Sequence, residues 1–127
     1  IDIVSQEKRS PVMLCDSSRI EDADYRFYWE GDLLKKYGKE LRNEETTGEY
    51  VGIGKLNARD KSIFRQRVID YVANEDYGCW WEDVIYRTIN AGENVYVHNI
   101  AGHFWAEVDY IEDYERIRKF IADSQKR

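Results

Sequence analysis

The sequence is poor in several features that would each point to a class of protein. No apolar run approaches the roughly 20 residues of a membrane-spanning helix. A single proline leaves no proline-rich linker to divide the chain. Basic residues are outnumbered, with 19 Lys and Arg against 25 Asp and Glu, and the net charge of -6 argues against a nucleic-acid partner. We therefore expect neither a membrane nor a nucleic acid among its partners.

Cysteine is also scarce. Cys15 and Cys79 lie far apart in the sequence, and neither has metal-ligand spacing around it. Two free thiols are typical of a reducing compartment, which predicts a cytoplasmic protein.

Aromatic residues are abundant, by contrast. They make up 14% of the chain, with four Trp and ten Tyr, which is more than a small core requires. Such an excess often marks a ligand pocket or an interface. The 127 residues suffice for one domain with a real core. Because the chain begins with Ile1 in what resembles the tail of an element, we expect residues 1–127 to be a single domain taken from a larger one.

The hydrophobic patterns predict alternating strands and helices. The apolar run 11–15 is typical of a buried strand of a parallel sheet, with Asp16 as a turn or cap residue after it. Alternation on either side of Gly31 predicts a partly exposed β-hairpin excursion within residues 21–41. The remaining predicted elements are a glycine-rich strand at 48–56, helices at 57–75, 79–89 and 110–125, and strands at 94–100 and 105–108. This order predicts an α/β fold with a mixed sheet.

Two of the predicted helices carry apolar stripes that we expect to face the core. The stripe of the first comprises Ile63, Phe64, Arg67, Val68, Tyr71 and Val72, and Asn57 is its candidate cap. The last helix should turn Ile111, Tyr114, Ile117, Phe120 and Ile121 inward.

The stretch from Trp105 to Tyr114 is the most informative for function. Trp105 and Glu107 would share one side of a short strand, because strand side chains alternate. Asp109 would then lie at the junction of strand and helix, where open α/β sheets collect substrate and metal sites. Asp109 followed by Glu112 also fits a capping box, so a structural role for Asp109 stays open.

The start of the second predicted helix offers a further candidate site. Trp81 and Asp83 could together hold a cationic ligand, because an aromatic face contributes about 0.5–2 kcal/mol to cation binding and a carboxylate adds a charge partner. The alternative is that Glu82 and Asp83 only complement the helix dipole. In the glycine-rich strand, the segment Gly48 to Gly52 predicts a close approach of a ligand or of another backbone.

Three blocks of the sequence resemble a known family. Residues 48–53 (GEYVGI), 81–83 (WED) and 105–113 (WAEVDYIED) are similar to the C-terminal half of the MobA-like and sugar-phosphate nucleotidyltransferases, most of all to the phosphocholine and phosphonate cytidylyltransferase branch. The resemblance covers the chain from about Pro11 to Ile121. It implies the C-terminal part of a Rossmann-like, GT-A-type mixed-sheet fold with the hairpin as an excursion.

The resemblance also implies roles for individual residues. Asp109 would be a catalytic carboxylate that binds Mg²⁺, and Asp83 and Glu107 would face the acceptor. Trp81 would lie against a choline-like ammonium, and Glu49 and Gly52 would lie near the substrate. The implied reaction joins a nucleoside triphosphate, CTP in this branch, to a small phosphorylated acceptor and releases pyrophosphate. Magnesium suits this chemistry because it neutralises phosphate charge.

The sequence departs from the family in two respects. Tyr110 and Ile111 stand where the family has Thr-Pro, which strengthens the capping role for Asp109. The Gly-rich nucleotide-binding loop and the first metal-binding Asp of the family's N-terminal part have no counterpart here. We therefore expect turnover only in a full-length form and none from these 127 residues alone.

Two alternatives remain open. The chain could be a non-catalytic binding or oligomerisation module, in which a homodimer completes the truncated sheet, since an exposed sheet edge seeks pairing. Within the enzyme class, a sugar-phosphate or molybdopterin acceptor could replace the amine-bearing one.

Overall fold

The computed structural model describes residues 2–126. Its elements, in chain order, are α1 Asp2–Gln6, β1 Val12–Asp16, β2 Arg26–Glu30, β3 Leu33–Gly38, a 3-10 turn Asn43–Glu45, β4 Gly48–Lys55, α2 Ala58–Ala73, α3 Trp81–Asn90, β5 Tyr96–Asn99 and α4 Ile111–Gln125.

The five strands form a closed barrel in the order β1-β4-β2-β3-β5, with β5 returning to β1. The predicted Rossmann-like, GT-A-type open sheet is therefore wrong, although the class is α/β and the sheet is mixed. Only β1 and β5 are parallel, and the other neighbours are antiparallel. Closure depends on the pairing of Leu33 with Tyr96, supported by a hydrogen bond from Leu34 N to Val95 O at 2.9 Å.

All five residues of β1 are buried, as the apolar run predicts for Val12 to Cys15, and Asp16, which was predicted to follow the strand, is its last residue. The cause is a barrel rather than a central strand of an open sheet. Met13 and Cys15 belong to the main core cluster, whereas Leu14 belongs to a second cluster with Val51 and Ile100. Ile3 and Val4 of α1, together with Trp105, pack against this second cluster.

The hairpin predicted in residues 21–41 is confirmed as β2 and β3, which pair antiparallel around a turn at Gly31. It is not an excursion, because both strands are part of the barrel wall. Phe27 and Leu34 are buried in the main core, and β2 also pairs with β4. The hairpin therefore contributes to the core that carries the candidate site.

The three long helices differ in how they pack. Only α3 buries a face, through Val84, Ile85, Tyr86 and Thr88. Ile85 and Tyr86 join the main core cluster. The helix ends as predicted, with Gly92 at a φ of +81° just beyond it.

Neither α2 nor α4 has a fully buried residue. The predicted stripe of α2 does form its half-buried face, at Phe64, Arg67, Val68 and Tyr71, whereas most of the stripe predicted for α4 is exposed. In α2, the N-cap Asn57 is confirmed, and its Oδ1 accepts from Asp60 N at 2.8 Å. Phe64 packs against the main core, but Ile63 and Val72 are exposed. In α4, the exposed apolar residues are Ile111, Tyr114, Phe120 and Ile121. Within residues 2–126, no helix is long and apolar enough to cross a membrane.

The predicted strand at 105–108 is also wrong, because these residues form an irregular segment before α4. The closed order of strands explains this. In the barrel, β1 already pairs with both β4 and β5, so no strand edge is left for a sixth strand.

Candidate ligand-binding cleft

A cleft of about 470 Å³ lies where the barrel, α3 and the segment before α4 meet. Its lining is rich in carboxylates and tyrosines, and we call it the acidic cleft. It is lined by Asp24, Tyr25, Lys39, Glu49, Tyr50, Gly52, Trp80, Glu82, Asp83, Tyr86, Glu107 and Asp109. Five of the six residues that the sequence proposed for a site are among them, and Trp81 is the exception.

An adjoining cleft of about 430 Å³ shares part of this lining, including Glu49, Glu107 and Asp109. It adds the basic side chains of Arg19 and Arg116, and it also includes Lys39. The two clefts together therefore offer an acidic, aromatic region beside one in which three basic side chains lie among six carboxylates.

Glu49 is the most buried carboxylate of the acidic cleft, with 4% of its surface exposed. It lies on β4, where it pairs with Asp16 of β1 and Arg26 of β2. Its Oε1 accepts from Asp24 N at 2.8 Å. Burial raises the pKa of Glu49, although the Asp24 bond and the charge of Arg19 act in the opposite direction. A buried, ionised carboxylate at this position would gain from a cation in the cleft.

Glu49 Oε2 has no properly aligned donor within the described part of the chain. Arg19 Nε lies 2.8 Å away, which is an ion-pair distance, but the geometry does not make a hydrogen bond. Arg19 instead stacks its guanidinium over the Trp105 ring at 4.8 Å.

Two tyrosines in the cleft lining also have a hydroxyl without a hydrogen-bond partner in the part of the chain that the structure describes. Tyr50 is 8% exposed and Tyr86 is 2% exposed. Their hydroxyl oxygens are buried and find no hydrogen-bond partner among residues 2–126. The nearby Tyr25 phenol affects the pKa of Tyr86, but the two hydroxyl groups are not oriented to form a hydrogen bond with each other. Burial raises the pKa of both Tyr50 and Tyr86 above the ordinary tyrosine range, so both stay neutral.

Gly52 is confined to glycine for a local reason. Its φ of +83° is in the left-handed region, and a Cβ at this position would lie 2.5 Å from Glu107 Oε1. Because Gly52 has no side chain, the Glu107 carboxylate can lie against β4. The close neighbours of Gly48 are the backbone oxygen of Asp16 and the Trp29 ring. At both glycines, the close approach predicted for this strand is therefore to the protein's own atoms.

Asp109 is not the cap of the last helix. The N-cap is Tyr110, and the carboxylate of Asp113 accepts from Tyr110 N at 3.1 Å and from Asp109 N at 3.3 Å. The proposed capping box of Asp109 with Glu112 is thus displaced by one residue. The Asp109 side chain lines both clefts.

Trp80 and Trp81, at the start of α3, lie in different surroundings. Trp81 does not line the acidic cleft, since its ring lies against Gly54 of β4, where a Cβ would be 3.2 Å from it. Trp80 lines the cleft and is 80% exposed. Asp83 lines the cleft and also accepts from Trp80 N at 2.7 Å, so it stabilises the start of α3 at the same time.

The segment that carries Glu107 and Asp109 is held in place by Trp105. Its indole Nε1 donates to Asp16 Oδ2 at 2.7 Å. The other oxygen of Asp16 accepts from Ser18 N and Ser18 Oγ at 2.9 and 2.6 Å, which confirms the turn role predicted for Asp16. Asp16 is therefore also the buried anchor of the segment beside the cleft.

Several residues that line the cleft could not be recognised as site residues from the sequence. Asp24 and Lys39 flank β2 and β3, and their mutual hydrogen bond at 3.0 Å is formed only because the hairpin closes. Tyr50 and Tyr86 resemble ordinary core aromatics in the sequence. The abundance of tyrosine was the one available hint.

The described residues fit magnesium only as part of a larger ligand set. Among residues 2–126, no group of three His, Cys, Asp or Glu side chains is arranged to hold a metal ion. Magnesium usually takes one or two protein carboxylates and completes its shell with phosphates and water. Asp109, at the boundary of both clefts, could supply one such ligand.

Comparison of the chain with family models, with curated proteins and with solved structures found no match. The geometry of the two clefts therefore carries the functional inference.

Proposed function

We propose that this chain belongs to a Mg²⁺-dependent, cytoplasmic nucleotidyltransferase that transfers a nucleotidyl group, CMP from CTP, to a small amine-bearing phosphorylated acceptor. Phosphocholine and aminoalkylphosphonates are acceptors of this kind. The observation that carries the proposal is convergence. Glu49, Gly52, Asp83, Glu107 and Asp109 come from three separate blocks of sequence and line one cleft.

The charges suit an acceptor with a cation at one end and a phosphate at the other. Six carboxylates line the acidic cleft, at Asp24, Glu49, Glu82, Asp83, Glu107 and Asp109. They favour the amine there. In the adjoining cleft, Arg19 and Arg116 are the basic side chains that the phosphate would contact, and each would exchange its present ion pair, with Glu49 and Asp113, for the phosphate. In the reaction, an acceptor phosphate or phosphonate oxygen bonds to the α-phosphorus of the triphosphate, the bond from that phosphorus to the bridging oxygen breaks, and pyrophosphate leaves.

Asp109 is the residue of this chain that would hold Mg²⁺. The ion, when bound, supplies charge neutralisation on the phosphates. The contribution of the chain is to orient the acceptor, with Glu107 held against Gly52 and the cation end directed to the acidic cleft.

Binding and turnover test the proposal separately. Isothermal titration calorimetry of the chain with phosphoethanolamine, 2-aminoethylphosphonate and phosphocholine should detect binding. Pyrophosphate release from CTP should require the complete natural polypeptide that contains these residues, and none is expected from residues 1–127 alone. In the complete polypeptide, Asp109→Asn should reduce turnover at least 100-fold. Asp123→Asn, the same change on the exposed surface of α4, is the matched control and should have no effect.

A non-catalytic binding module is the second candidate, because the closed barrel supports the cleft without requiring strands from elsewhere. It would bind the amine-bearing phosphate while the complete polypeptide released no pyrophosphate. A closed sheet also needs no second copy to complete it, so sedimentation should give a monomer unless a homodimer forms on another surface. Binding of sugar phosphates but no amine would instead assign the acceptor to the sugar-phosphate class.

A further inference from the structure

Three residues that line the acidic cleft each bury one side-chain oxygen that makes no hydrogen bond within residues 2–126. These oxygens are Glu49 Oε2, which has only the ion-pair contact with Arg19, Tyr50 Oη and Tyr86 Oη, and we call them the unpaired oxygens. No other buried side-chain oxygen or nitrogen in residues 2–126 is without a partner. All three residues line this one cleft. Buried polar groups are nearly always hydrogen-bonded, so their grouping points to a ligand that completes them.

The charge of the surroundings selects the kind of ligand. Six carboxylates line the cleft, and within the described part of the chain Lys39 is its only basic side chain. Lys39 is already engaged, since its Nζ donates to both oxygens of Asp24 at 3.0 and 3.2 Å. A cation is therefore favoured, and an anion is repelled.

The tyrosine rings have few free faces to offer such a cation. The Tyr86 ring stacks on Tyr37 with centroids 4.3 Å apart and on Tyr25 with centroids 5.8 Å apart. The Tyr50 ring stacks on Phe27 with centroids 5.1 Å apart. The stacked faces of these rings are therefore already in contact with other rings, which differs from the aromatic cages that take quaternary ammonium ions.

We infer that the acidic cleft binds the –NH₃⁺ group of a primary amine in preference to a quaternary ammonium. The inference rests on the proposed function for the acceptor class and narrows it to primary aminoalkyl phosphates or phosphonates. A primary ammonium carries three N–H donors, and a quaternary ammonium carries none. Only the primary amine can pair with the unpaired oxygens, whereas the quaternary one would leave them buried without donors.

A methylation series tests this inference. Phosphoethanolamine, its N-methyl and N,N-dimethyl derivatives and phosphocholine have the same phosphate and differ in N–H donors. Calorimetry with the full chain should show affinity falling along the series, with phosphocholine at least tenfold weaker than phosphoethanolamine. Equal affinities, or tighter phosphocholine, would overturn the inference and leave the proposed function standing. Absence of binding by all four would overturn both.

Three conservative variants assign the preference to these atoms. Tyr50→Phe and Tyr86→Phe remove one hydroxyl each and keep the ring, and each should lower the ratio of phosphoethanolamine to phosphocholine affinity about threefold or more. Tyr37→Phe is the matched control, because its hydroxyl already accepts from Asn90 Nδ2 at 3.2 Å and Tyr37 does not line the cleft. Its ratio should equal that of the wild type. An unchanged ratio in both cleft variants would refute the role of the hydroxyls.

Discussion

Removal of a cleft hydroxyl should stabilise the ligand-free protein. A hydroxyl buried without a partner costs about 1–3 kcal/mol of desolvation relative to water. Tyr50 and Tyr86 each bury such a hydroxyl. Phe at either position keeps the ring and its stacking, so Tyr50→Phe and Tyr86→Phe should each raise the free energy of unfolding by about 1 kcal/mol.

Urea denaturation followed by Trp fluorescence measures this change directly. A gain of about 1 kcal/mol should appear as a higher midpoint with an unchanged slope, and as a rise of roughly 3–6 °C in Tm for a domain of this size. Tyr37→Phe should act in the opposite direction, since it removes the acceptor of the Asn90 Nδ2 bond. The expected loss is about 0.5–1.5 kcal/mol.

The opposite signs of these variants make the test decisive. If Tyr50→Phe and Tyr86→Phe lost stability as Tyr37→Phe does, their hydroxyls would have partners in solution, such as ordered water. The reasoning about unpaired oxygens would then be refuted. If stability rises while amine affinity falls, the hydroxyls are retained for binding at the expense of the fold, which is the trade expected at functional sites.

Three further changes test the supports of the cleft. Gly52→Ala should lower the free energy of unfolding by about 1–2 kcal/mol, measured in urea, because φ is +83°, and it should weaken amine binding by moving Glu107. For Glu49, burial raises the pKa above its ordinary 4.5, so the native state holds this proton more tightly than the unfolded chain and stability falls as pH rises through that window. Glu49→Gln should remove this slope in urea titrations at pH values above 4.5. Trp105→Phe should cost about 1.5–3 kcal/mol in urea, because it removes the bond to the Asp16 carboxylate.

The features that the sequence predicted correctly are set by neighbouring residues. The Asn57 cap depends on a backbone N–H three residues away, and the helix stop at Gly92 depends on its own positive φ. The hairpin depends on alternation around Gly31. Each of these signals acts over a few residues, so a single sequence contains all of it.

Closure of the barrel cannot be predicted from signals that act over a few residues. It needs Leu33 to meet Tyr96, which lies 63 positions further along the chain. The strands curve through irregularities between Met13 and Cys15 and between Tyr28 and Trp29, and such bulges bend a strand without a distinct sequence pattern. An open and a closed mixed sheet of the same strands have the same alternation, so periodicity cannot distinguish them.

The same limit applies at the cleft to Trp80 and Trp81. The sequence predicted Trp81 as the ring beside Asp83, whereas Trp80 is the ring that lines the cleft, because the position of each ring depends on where α3 begins. Because the helix starts at Trp81, that side chain turns to Gly54 of β4, and the N-cap Trp80 is left at the cleft. A shift of one residue at a helix start rotates the side chains by about 100°.

The proposed site does not depend on the open sheet that the resemblance implied. An open sheet would place Asp109 by continuing a strand into α4. In the barrel, the Trp105 indole bonded to Asp16 at the end of β1 positions the same segment. One half-buried side chain thus replaces a sixth strand in bringing Glu107 and Asp109 to β4 and α3. Since Trp105 both bonds to Asp16 of β1 and packs on the second core cluster, the geometry of the acidic cleft should depend more on Trp105 than on any contact of α4.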